Sequence, residues 1–158
     1  MASAGQVLDF ADQIALLPIA YAGGVFPDWK YGPLAEGLAC YGREEFFLAH
    51  EHWESLWLTL EEPEKSFLQA LIQTTAAFHH LQSGNSMGAV SLLRRALRRL
   101  EGCPARFGGI DVTSLCTGIS AWLRALESGA APLPATYPAI CVAGLPSVSF
   151  GSGDTRSR

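Results

Sequence analysis

The stretch FFLAHEHWESLW, residues 46–57, decides how this chain is read. It carries four aromatic residues and a run, His50 to Glu54, that holds two histidines and two glutamates. No strand-like alternation competes with a helical reading. A helix turns about 100° per residue, so with His50 as origin Phe46, Trp53 and Trp57 fall between about 300° and 340°, and Phe47 near about 60°. That arc puts His50 and Glu54 in the middle of an apolar face, Glu51 at its flank and His52 on the wet side. The expectation is a helix that buries an imidazole and a carboxylate together.

The flanking sequence extends the helical pattern in both directions. Pro33 suits a first helical position, and residues 33–60 read as one helix bent at Gly42. After Pro63, the segment EKSFLQALIQTTAAFHHLQS carries no Asp, Glu, Lys or Arg from Ser66 to Ser83. A helix apolar nearly all round is a buried one, so this second main helix belongs at the centre. Its polar exceptions Gln69, Gln73 and His80 lie within about 40° of one another. Gly84 suits a helix end and Asn85 or Ser86 a helix start, so SGNS reads as a tight turn between antiparallel neighbours. The third main helix, MGAVSLLRRALRRLE, stops at Gly102 and Pro104. Asp111 caps a fourth, VTSLCTGISAWLRALE, which stops at Gly129.

The fold expected is therefore all-α, a compact helical-hairpin bundle of about four main helices with irregular tails. Residues 1–32 form an N-terminal segment with a short amphipathic helix in VLDFADQIALL, 33–129 the helical domain, and 130–158 a loose tail rich in Pro, Gly and Ser.

With 158 residues, 49% hydrophobic and 16% charged, the chain has enough apolar matter for one core and too much for a disordered protein. A net charge of −4 argues against general polyanion binding and makes nucleic acid an unfavoured partner. Cys40, Cys103, Cys116 and Cys141 show no CxxC spacing, which reads as free thiols in a reducing cytoplasm. The run ALLPIAYAGGVF is too short and too broken to span a bilayer, so no membrane role is expected.

An unpaired buried polar group costs about 1–3 kcal/mol. The polar stripes of the first two helices should then face each other. His50 and Glu54 are expected to meet Gln73 and either His80 or Gln69, with Glu51 at the edge and Trp57 closing one end.

At these residues the chain resembles the bacterial and archaeal domain-of-unknown-function family 309. The pattern is an AHExxExxW helix, then FLQxLIQxxAAxxH, then a GNxxGA turn. It is carried here by Phe47, Ala49, His50, Glu51, Glu54, Trp57, Phe67, Leu68, Gln69, Leu71, Ile72, Gln73, Ala76, Ala77, His80, Gly84, Asn85, Gly88 and Ala89. Ala70 stands where that pattern usually has glycine. The resemblance runs over about residues 34–102 and implies a compact all-α domain with no established activity.

Three readings of the cluster follow. A self-contained hydrogen-bond network would make the chain a binding or structural module; this is the leading one. A divalent metal held by His50, Glu54 and His80 would make it a metal-binding protein or a metal-dependent hydrolase. Metal-free acid–base chemistry would use Glu54 beside His50. Neither a nucleophile motif nor a phosphate-cradling loop is present, so an enzyme is the weaker case. Arg94, Arg95, Arg98 and Arg99 share one helix face. That face suits either an anion or, more simply, solvent and the acidic Glu44/Glu45 region of the same or another chain. Residual apolar surface leaves a homo-oligomer open.

Overall fold

The computed structural model describes residues 27–129 and 132–145. The helix expected over residues 7–17 lies outside them. Five helices follow in order: α1 Gly32–Gly42, α2 Phe46–Trp57, α3 Glu64–Gln82, α4 Ser86–Leu100 and α5 Val112–Ser128. Two short strands, β1 Arg106–Phe107 and β2 Ile110–Asp111, stand between α4 and α5. The described residues are all-α apart from that small hairpin.

The apolar segment after Pro63 is the central helix. α2 and α4 both pack on α3, whose buried residues include Phe67, Leu68, Leu71, Ile72, Ala77 and Phe78. Its buried threonines satisfy themselves, Thr74 donating to the Ala70 carbonyl at 2.8 Å and Thr75 to the Ile72 carbonyl at 2.9 Å, the back-bonding such residues use inside helices.

The single bent helix expected over 33–60 is instead two helices. Glu44 adopts φ 61°, a left-handed conformation that stops a helix outright, and the Glu45 N–H turns back to the Cys40 carbonyl at 2.9 Å. The break lets α2 fold against α1. Gly37 makes that contact possible, because a Cβ there would overlap the Trp53 indole. Trp53 is fully buried and donates its Nε1–H to the Leu34 carbonyl at 3.3 Å.

The turn between α3 and α4 follows its residues. Gly84 takes φ 80°, and Asn85 accepts the Gly88 N–H on Oδ1 at 2.9 Å. Replacing Asn85 by Ala should cost about 1 kcal/mol in urea unfolding, and Ser at the same place should recover most of it. Asp111 caps α5 in the same way, accepting the Ser114 N–H at 3.0 Å. Those donors, the Ser114 backbone first and its hydroxyl next, hold the Asp111 carboxyl below the ordinary carboxylate range.

Residues 132–145 are not a loose tail. Tyr137 stacks on Trp122 with centroids 4.9 Å apart and contacts Phe46 and Phe78. The Tyr41 hydroxyl donates to the Pro138 carbonyl at 2.7 Å, and burial pushes that phenol well above its usual pKa. Ile140 is buried, and Val142 bridges to Ile110 of the small hairpin. Prolines have no N–H to satisfy, which suits an extended segment laid over helices. The hairpin itself turns on Gly108 and Gly109, both at positive φ; that two-glycine signal for a tight β-turn reads as a plain loop when no strand is expected.

Candidate functional site

The register between α2 and α3 is fixed by ring contacts. Phe46 meets Phe78, Phe47 meets His79, and the Lys65 ammonium lies 4.4 Å over the Trp57 ring. The pair is antiparallel, and counting inward from these contacts sets His50 level with residues 72–76 and Glu54 level with residues 68–72. Gln73 and Gln69 therefore lie level with the imidazole and the carboxylate along the helix pair.

The azimuth differs from the expectation. The buried line of α2 is Phe46, Ala49 and Trp53, because α1 as well as α3 packs on it. His50 sits at the edge of that line, its side chain 27% exposed, and Glu54 lies in solvent at 53%. Phe47, counted toward the apolar arc, is 49% exposed. Glu54 is thus a rim carboxylate, with Oε2 at 3.5 Å from His50 Nε2. Glu51 is exposed beside it. His52 is not free on a wet side: its Nδ1 lies 3.1 Å from Glu36 of α1, an acid that only the break at Glu44 brings within reach.

His80 does not join this group. It stands about seven residues beyond Gln73, roughly 10 Å along the axis at 1.5 Å per residue, and its Nδ1 faces the Asn85 amide at 3.1 Å. Among the described residues no three His, Cys, Asp or Glu side chains converge as metal ligands would. The proposed trio of His50, Glu54 and His80 fails on register: an interval of seven residues keeps the azimuth but moves two turns along the rod.

Three polar atoms at the junction of α2 and α3 are buried without a hydrogen-bond partner: His50 Nδ1, Trp57 Nε1 and Gln73 Oε1. Gln73 is 9% exposed. His50 and Trp57 are half-buried and lie seven residues apart on one face of α2. The indole N–H is an obligate donor, the amide oxygen an acceptor, and the imidazole nitrogen either, according to tautomer. Sequence reasoning found all three residues but expected them to close on one another. It missed Phe47 as an exposed ring flanked by His50 at 6.2 Å and His79 at 5.2 Å. The half-exposed His79 follows directly on Phe78 in the sequence.

The arginine face of α4 is divided. Arg94 Nε donates to Glu127 of α5 at 2.8 Å. Arg95 and Arg98 are exposed and Arg99 is half-buried. Of the Glu44/Glu45 region they were expected to seek, Glu45 pairs with Arg43. The four thiols are free; burial, then the neighbouring Cys116, pushes Cys103 up to about 12, which leaves it a poor nucleophile at neutral pH. No helix among the described residues is long and apolar enough to cross a membrane.

Comparison with known proteins agrees with the motif reading. Residues 34–92, which hold α1, α2, α3 and the start of α4, match the family described as "Domain of unknown function (DUF309)". A relative from Aquifex aeolicus (strain VF5), described as "Uncharacterized protein", is 28% identical over 100 residues. The matched stretch covers 63% of this chain and 30% of that relative, so the chain corresponds to under a third of the relative's length.

Proposed function

We propose, from the family match over α1 to α4 and the geometry of its two motif helices, that this chain is a binding module. Its contact surface is the α2 flank around His50, Glu51, Glu54 and Trp57, backed by Gln69 and Gln73 of α3. The observation that carries this is the trio of partnerless buried atoms. A network kept for stability closes on itself, because each orphan costs about 1–3 kcal/mol. Orphans gathered on one helix–helix junction, beside an exposed aromatic ring, are what a contact site retains. His50 and Trp57 are only half-covered, and a partner that turns them outward supplies the missing hydrogen bonds.

The test is the sign of one stability change. Methionine at position 73 keeps volume and removes the orphan acceptor. Under the binding reading, Gln73→Met raises unfolding free energy by about 1 kcal/mol in urea melts. Under a structural-network reading the same change lowers it. A loss beyond measurement error sinks the proposal.

A further inference from the structure

α2 and its C-cap residue carry an exposed stripe of Phe47, Glu51, Glu54 and Leu58. These recur at i, i+4, i+7 and i+11, within about 60° of one another. Phe47 and Leu58 are two of the six large apolar residues that stand out in solvent among the described residues. α4 carries a stripe of the same three-turn length and opposite sign: Met87, which is 86% exposed, then Ser91 and the exposed Arg95 and Arg98. Among the described residues no ion pair joins these two runs to each other. The ion pairs among the described residues join Arg43 to Glu45, His50 to Glu54, His52 to Glu36 and Arg94 to Glu127, and none links α2 to α4. Arg95 and Arg98 have no ion-pair partner among the described residues.

We propose that the α2 stripe is the docking surface for the α4 stripe of a second copy of this chain. The inference rests on the binding reading above for the α2 flank, which it shares at Glu51 and Glu54, and it names a partner for the charged side of that flank. Laid antiparallel, Met87 of one copy covers Leu58 of the other, Arg95 meets Glu51, and Arg98 lies over the Phe47 ring as a guanidinium–aromatic contact. Such pairs set register and partner choice where helices meet. Two copies that engage both stripes reciprocally close a two-fold dimer, and copies that engage different partners continue to a ring or an open chain.

Sedimentation equilibrium of the full chain tests this with two charge-reversed variants, Glu51→Arg/Glu54→Arg and Arg95→Glu/Arg98→Glu. All four positions are exposed, so both variants should fold, which circular dichroism checks. The wild type should self-associate at about 50 mM salt and weaken as salt screens the pairs. Each variant alone should be monomeric, since both its stripes then carry one sign. Mixing the two variants should restore assembly, because the reversed α2 of one fits the reversed α4 of the other. A monomeric wild type at high concentration, association that survives in either variant, or a mixture that stays monomeric overturns the proposal. A basic segment of another protein would then be the better occupant of α2. The Gln73→Met melt is unaffected by this outcome and decides the binding reading separately.

Discussion

Trp53→Ala should unfold at markedly lower denaturant, with a loss of about 3–5 kcal/mol, the cost typical of removing a large buried aromatic. The indole is wholly buried, stacks on Tyr41 at 6.2 Å and takes the Trp29 ring edge-on at 6.2 Å. Its N–H holds the first turn of α1. The matching change on the other wall is Gly37→Val. There the new side chain must occupy the space of the indole, and overpacking costs about 1–3 kcal/mol or more. The double variant Gly37→Val/Trp53→Ala should lose less than the sum of the two, since each relieves part of what the other disturbs. Strict additivity in urea melts would show that the two residues do not share this contact.

Ile140→Asp should be nearly as damaging, although it lies in a segment that reads as a tail. Ile140 is 2% exposed and belongs to the hydrophobic core, so a carboxylate placed there is taken out of water. The penalty of burying an unpaired charge runs to several kcal/mol, so the segment should instead peel away. The expected outcome is a thermal midpoint lowered by about 6–12 °C for a loss near 3 kcal/mol in a chain of this size, and proteolytic cleavage between residues 132 and 145. Leu133→Asp, at an exposed position of the same segment, should change little. Equal tolerance at both positions would mean the segment does not hold the domain together.

The elements that were legible are those written locally. Gly84 with Asn85, Asp111 and Gly129 each mark a helix end within a few residues, and each does so in the structure. The uncharged run of α3 announces its own burial because nothing in it could face water. The level of His50 and Gln73 along the helix pair was legible. The azimuth around α2 was not. A helical wheel averages over apolar residues without knowing how many neighbours share them, and here α1 claims the Trp53 side, which tilts Glu54 into solvent. The packing of residues 132–145 was illegible for a related reason: a proline-rich run looks the same whether it trails in water or lies on a sheet of aromatic rings. Its contacts with Tyr41 and Phe46 come from the far end of the chain.

Trp29 donates its Nε1–H to the Gly108 carbonyl 79 residues away, and Tyr41 reaches Pro138 across 97. During synthesis the ribosome has therefore released α1 and α2 long before their locking partners exist. The nascent hairpins can pair early, because α3 follows α2 directly, yet the indole of Trp29 and the phenol of Tyr41 wait unsealed until Gly108 and Pro138 have emerged. Closure of this domain waits on those two residues, and a chain interrupted before residue 138 leaves the exit tunnel with α1 unfastened.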